Sequence, residues 1–422
     1  MKKILFFMTM LSCMFLTGCS FGLGIDNLIT PPKLSIEQEK IYNTLTAAVG
    51  ADISLKYPKT GNYISAFIIE DIDGDGTLEA IVFYEKKGID ATDNRLRISV
   101  LHKENNKWQS VCTVAADGTE IDKVFISKLG TNKRTNIVVG TNSLHSQNKT
   151  ASVYVYHADR TVEEIPFELT FSERYSFLDV YDLDGDGDNE IILLNSSATA
   201  TATASLYRLK PEGVYHRTFT PLSGVFTDFE NIVYGNIGVD SGIFIDGVVD
   251  TNTVQTDIVY FDGTSLRRLF RDEIQCEATR RPFAYRTTDI DGDGIYEIPI
   301  PQKEDSGMTD WLYIRDGELT QKYSGYMSTG DGYSFLFPEK WNGRISVTYD
   351  TLNDEYVYRD TETKQELLRF FKAEDFAVRE DRISMGYSIL RSRGEIYYML
   401  SVSENGELSM PLGTVASCFK FN

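Results

Sequence analysis

The chain of 422 residues is poor in several residue types: three tryptophans, four histidines, five cysteines and eleven prolines. Each scarcity removes a class of protein. Cys13 and Cys19 fall in the N-terminal segment, and Cys112, Cys276 and Cys418 are odd in number and widely spaced, so no disulfide framework is implied. They read as small buried residues; a Cys112–Cys276 bridge is conceivable but spacing gives it no support. The histidines (His102, His145, His157 and His216) show no H-x-x-x-H or H-E-x-x-H spacing. A G-x-S-x-G nucleophile elbow and a phosphate-binding glycine loop are also missing. With no catalytic set in view, the chain reads as a non-enzyme. Lysine and arginine number 42 against 62 acids, a net charge of −20. No basic stripe is available to release phosphate counterions, which argues against nucleic acid, and the acidity disfavours broad contact with an anionic bilayer. Beyond the N-terminus no run approaches the ~18 apolar residues of a membrane span.

What the chain does have is one nine-residue pattern, D-x-D-G-D-G-x-x-E, at residues 71–79, 182–190 and 289–297. Aspartates at positions 1, 3 and 5 (Asp71, Asp73, Asp75; Asp182, Asp184, Asp186; Asp289, Asp291, Asp293) put three carboxylates on one side of a tight turn. Glycines at 4 and 6 supply the backbone freedom that turn needs. Position 7 (Thr77, Asp188, Ile295) can offer a backbone carbonyl, and Glu79, Glu190 and Glu297 can close the shell from the next strand. An all-oxygen, carboxylate-rich, flexible set suits Ca²⁺ better than Zn²⁺ or Mg²⁺. About three structural Ca²⁺ ions are therefore expected, since four converging carboxylates repel one another without a cation between them. An EF-hand is excluded: position 12 is Val82, Leu193 and Ile300 instead of glutamate, and the following residues 80–84, 191–194 and 298–300 read as buried strands, not helices.

Two degenerate copies, at 128–140 and 236–245, keep the turn and strand and have lost the acids; they are expected to be metal-free. Starts at 71, 128, 182, 236 and 289 give a period of 53 to 57 residues. Each copy is followed by a strand-turn-strand hairpin, with first strands at 98–101, 153–156, 204–207, 258–261 and 311–314. The intervening turns are rich in Asn, Asp, Gly and Pro. About four short strands per fifty-odd residues is a propeller blade, which buries its faces only by stacking on neighbours.

On these loops and this period the chain resembles the FG-GAP/VCBS-type repeats of integrin-like β-propellers and bacterial surface proteins, over roughly residues 60–325. The resemblance implies Ca²⁺ held between the first two strands of a blade by the loop residues named above. The expected fold is mainly β: a propeller of about five recognisable four-stranded blades (six or seven if the C-terminal part supplies more) over 51–325, with an N-terminal helix and a C-terminal β-rich or α+β segment over 326–422.

At the N-terminus, Lys2 and Lys3 precede a short apolar core at 4–15, and residues 16–19 (Leu16, Thr17, Gly18, Cys19) resemble the bacterial lipobox. The resemblance implies a signal peptide over 1–18, lipidation of Cys19, and a mature protein tethered by residues 19–33 on the extracytoplasmic face of a bacterial cell membrane. Extracellular calcium would fill even weak sites there.

Residues 34–50 read as an amphipathic helix packing on the propeller as a lid or plug. The aromatics Tyr323, Tyr326, Tyr333, Phe335, Phe337 and Trp341 are either a sugar-stacking platform or, more ordinarily, core. Residues 198–205, alternating Ala and Thr, read as a pliant edge. Together these features predict a lipid-anchored, calcium-binding propeller acting as a binding, adhesion or scaffold module for an unidentified protein or glycan. The alternatives are a non-catalytic subunit of an envelope or secretion assembly and, further off, a polysaccharide hydrolase whose two acids need no fixed spacing.

Overall fold

The computed structural model describes residues 34–88, 95–130, 135–143, 146–156, 167–238, 240–303 and 306–421. The signal peptide, Cys19 and the tether of residues 19–33 expected from the sequence lie outside the described residues.

Among the described residues, six antiparallel sheets follow one another along the chain, with five, four, four, five, five and five strands. The second strand of the first sheet's loop hairpin, Glu79–Lys86, and its counterparts Thr135–Ser143, Glu190–Asn195 and Ser241–Val248 are apolar on both faces. The packing explains why. Ile81 and Phe83 join residues of the second sheet in one core, whereas Ala80, Val82 and Tyr84 point the other way. Ile137 and Val139 face the first sheet and Val138 the third. Ile191 and Leu193 face the second, Ile192 and Leu194 the fourth. A strand alternates its side chains between faces, so a run with no polar alternation is what a sheet sandwiched between two others requires. The mainly β class expected from the sequence is what the structure shows.

Among the described residues, no second sheet joins the cluster on the outer face of the first sheet. The helix Ile36–Val49 covers it, placing Ile41 and Leu45 against Ala80, Val82, Leu101 and Trp108. Its start is fixed by a capping box: Gln38 N–H donates to Ser35 Oγ (3.2 Å) and Ser35 N–H to Gln38 Oε1 (3.0 Å). Glu37 anchors it, accepting from Lys103 Nζ (2.6 Å) and Trp108 Nε1 (2.9 Å).

At the other end, the strand Glu318–Ser328 runs through residue 326, where the sequence suggested a boundary. Tyr333–Leu336 and the C-terminal Phe419–Phe421 extend that same fifth sheet, and the sixth, spanning Ile345–Asp350 to Ile396–Val402, lies between them in the chain. One aromatic core joins the two sheets. Tyr333, Phe335, Phe337 and Trp341 are inside it, which settles those four as core residues. Among the described residues, no hydrophobic cluster contains both first-sheet and sixth-sheet residues. Cys112, Cys276 and Cys418 are free thiols.

Candidate metal centre

All three acidic loops occupy equivalent places, each running directly into an apolar strand of the first, third or fifth sheet. In the first they join Phe67–Glu70 to Glu79–Lys86 and in the third Phe177–Tyr181 to Glu190–Asn195; in the fifth a bridge pairs Thr288 with Glu297. The degenerate copies occupy the equivalent links of the second and fourth sheets, after Glu120–Lys128 and Asp228–Asn236.

Each loop is folded around its own backbone N–H groups. In the first, Gly74 and Gly76 N–H donate to Asp71 Oδ1 and Oδ2 (2.8 and 2.9 Å), and both glycines have positive φ, 80° and 86°, the region where a Cβ is penalised. Gly185 and Gly187 do the same for Asp182 (2.8 and 3.0 Å), and Gly292 and Gly294 for Asp289 (2.7 and 2.8 Å). The position-9 glutamate accepts the N–H of position 2 in every copy: Ile72 to Glu79, Leu183 to Glu190 and Ile290 to Glu297, each 2.9 Å. One glutamate oxygen is thus fixed to the backbone and the other is left for the loop interior.

Positions 1, 3 and 9 converge. Asp71, Asp73 and Glu79 each bring a carboxylate oxygen within 4.8 Å of the others, as do Asp182, Asp184 and Glu190, and Asp289, Asp291 and Glu297. These are the acidic clusters of that kind among the described residues. Position 5 stands outside them: Asp75, Asp186 and Asp293 accept the N–H of Thr77, Asp188 and Ile295 at 2.7 to 2.9 Å.

Burial makes this clustering costly. The three glutamates are almost fully buried, and burial raises the pKa of each. Glu190 is pushed up to about 7, with the charges of Asp184 and Asp186 adding to the effect of burial. Glu79 and Glu297 are raised, again first by burial, as are Asp73 and Asp184. A carboxylate displaced this way gains most from a nearby cation.

Position 8 docks two of the loops on the preceding sheet. Asn189 Nδ2 donates to Ser127 Oγ (2.9 Å), and residue 189 bridges Leu129. Tyr296 packs against Phe244, ring centroids 6.0 Å apart. Leu78 of the first loop has no preceding sheet and is exposed.

The sequence reading missed the basic side chains beside the loops. His102 Nδ1 lies 2.7 Å from Glu79 Oε1, Arg208 reaches Asp184 and Asp186, and Lys322 reaches Asp291, Asp293 and Glu297. A hairpin register places His102 directly opposite Glu79, a signal that strand pairing alone carries. Lys322 sits at a bulge, which sequence periodicity does not reveal.

No protein-family model and no curated protein matches the chain. Solved structures do resemble it. One is an exo-β-1,3-galactanase from Phanerochaete chrysosporium in complex with β-1,3-galactotriose: 10% identity, TM-score 0.27, covering 77% of this chain and 82% of that one. Another is a GH43 β-1,3-galactosidase with galactodeoxynojirimycin: 10% identity, TM-score 0.27, covering 68% and 99%. The expectation of a non-catalytic binding, adhesion or scaffold module, and of a chain that is not an enzyme, is corrected by this finding: the similar solved structures are glycoside hydrolases. At this identity and TM-score the likeness assigns no substrate and no catalytic residue to the chain. Among the described residues no helix is long and apolar enough to cross a membrane.

Proposed function

We propose that the chain is a calcium-binding protein built as a stack of six blade-like sheets, of the FG-GAP/VCBS type, in which the acidic loops hold cations, two of them at the joints between sheets. The observation that carries this reading is the convergence of three carboxylates in each of three loops, with the glutamate of each buried. Asp71, Asp73 and Glu79, and their counterparts, are the oxygen donors; the carbonyl of position 7 completes a set that suits Ca²⁺. The bound ion supplies positive charge that offsets the mutual repulsion of the acids. Because Asn189 and Tyr296 carry their loops onto the preceding sheet, setting the loop also sets the joint. Lipidation at Cys19 would hold the protein on the outer face of a bacterial membrane, and Cys19→Ser should then move it to the soluble fraction.

The test is thermal unfolding in millimolar Ca²⁺ and in EDTA, with bound metal counted. An ion that binds only the folded state at about 100 times its Kd stabilises by about 2.7 kcal/mol. Absence of both bound calcium and any shift would refute the reading.

A second reading, polysaccharide hydrolysis, is favoured by a cleft of about 600 Å³. Its lining includes Tyr296, Asn231 and Arg286, aromatic and hydrogen-bonding groups of the kind a sugar uses. Glu230 forms an ion pair with Arg286 of that lining. Release of reducing ends from a panel of polysaccharides, lost in Glu230→Gln, tests it; inactivity across the panel removes it.

A further inference from the structure

The three loops share a sequence pattern but not a neighbourhood. In the first, the free oxygen of Glu79 meets an imidazole, His102, and among the described residues no lysine or arginine forms an ion pair with Asp71, Asp73 or Glu79. In the second, a guanidinium stands at the rim: Arg208 Nη2 is 2.9 Å from Asp184 Oδ2 and 3.0 Å from Asp186 Oδ2, and its Nε is 3.7 Å from Glu190 Oε1. In the third, a primary ammonium is inside. Lys322 Nζ lies 2.9 Å from Asp291 Oδ2, 2.7 Å from Asp293 Oδ2 and 2.7 Å from Glu297 Oε1. An ammonium has three protons to donate, and here each has a carboxylate from the loop.

The backbone is arranged to put it there. Trp311 pairs with Tyr323 and Leu312 with Gln321, so Lys322 is the extra residue of a β-bulge, a device that re-aims a side chain. Its neighbour Tyr323 donates its hydroxyl to the same Asp291 oxygen (2.6 Å).

We infer that Lys322 is a built-in counter-cation of the third loop, standing among the oxygens a metal would take, so that this loop is set without calcium while the first loop depends on it. Arg208 makes the second loop intermediate. The inference rests on the cation-binding reading of the loops and adds that they are unequal: calcium dependence is concentrated at the helix-capped end of the stack. A metal entering the third loop must first displace an ammonium that already has all its partners.

Calcium titration of the full chain, with bound metal counted, tests this on the wild type, Asp73→Asn and Lys322→Met. The third loop of the wild type should bind calcium at least about tenfold more weakly than the first, since a like charge already occupies it. D73N should remove most of the calcium-dependent rise in melting temperature. K322M, which keeps the stem and deletes the charge, should gain one tight calcium and melt lower than wild type in EDTA. Three equivalent calcium ions in the wild type, with K322M unchanged, would overturn the inference and leave the cation-binding loops standing. No calcium on either protein would overturn both. Should K322M fail to fold, the wild type and D73N decide: retention of about two thirds of the calcium-dependent shift in D73N counts against the inference.

Discussion

Arg281 Nη2 lies 2.8 Å from Asp246 Oδ1, and both side chains are fully buried. Every proton of the guanidinium has an acceptor: Nε donates to Tyr285 O, Nη1 to Thr256 Oγ1 and Thr279 O, and Nη2 to Asp246 and Thr287 Oγ1. Asp246 in turn accepts from the Thr256 hydroxyl and from the N–H and hydroxyl of Thr287. Thr287 sits two residues before the third acidic loop, so this network ties the fourth sheet to the start of the fifth. A buried pair is tolerable only when its remaining valences are met, and here they are.

Removing one member should therefore be expensive. Asp246→Ala leaves the guanidinium buried without its counter-charge and should cost about 3–5 kcal/mol, read as a shift of the urea midpoint. Burial opposes ionisation of Asp246, but the Arg281 charge and the donors from Thr287 and Thr256 outweigh it and lower its pKa. A lowered acid contributes stability that is present above its ordinary value of ~3.9 and is lost as pH falls through the folded value. Wild type should thus lose this contribution only in the acid limb, and D246A should lack that part of the limb.

Glu190 should show the opposite sign. Its folded pKa is pushed up to about 7 by burial and by Asp184 and Asp186. In metal-free protein its contribution is full below the unfolded value of ~4.3 and is lost as pH rises toward the folded value, a fall of about 3 kcal/mol across that window. Urea unfolding in EDTA at pH 4.5, 6 and 8 measures it, and Glu190→Gln should flatten the slope. Calcium, which favours the anionic form, should restore stability at pH 8.

Phe83 tests the stacking of the first two sheets. It is fully buried in the core they share, and Phe83→Ala should cost about 3–5 kcal/mol. A melt unchanged by this substitution would mean that the two sheets do not depend on their mutual packing.

Much of the repeat was legible because its signals are local. The D-x-D-G-D-G-x-x-E loops announce their turns through glycine, and the strands after them announce two-sided burial through uninterrupted apolar runs such as 80–84. The hairpin turn at Asn105 and Asn106 was marked by its residue types, and both have positive φ, 49° and 63°, as a tight hairpin turn requires. The sixth sheet was legible only as an alternative, a further blade or a separate β-rich segment over 326–422, because the 53–57-residue period stops before it. The strand Phe419–Phe421 was not legible, because its partner Tyr333–Leu336 is more than eighty residues away. Lys322 escaped for a related reason: its approach to the third loop depends on a bulge, and nothing in a run of residues 318–328 states which one will be extra. The functional expectation failed at a different level, since an absence of familiar catalytic motifs is a weak guide when acids from separate strands can meet in space.

The pairing of Phe419–Phe421 with Tyr333–Leu336 also sets an order of assembly. The first four sheets are each continuous enough in sequence to form as they emerge from the ribosome, every one against its predecessor. The fifth cannot be finished until residue 421 has been made, because its edge waits for a strand that follows the whole of the sixth. Until then Phe335 lacks its stacking partner Phe419, 4.3 Å away between ring centroids, and an unpaired strand edge is exposed to chaperones and proteases. Loss of Phe419–Phe421 would leave that edge unpaired permanently, a dependence that involves none of the acidic loops.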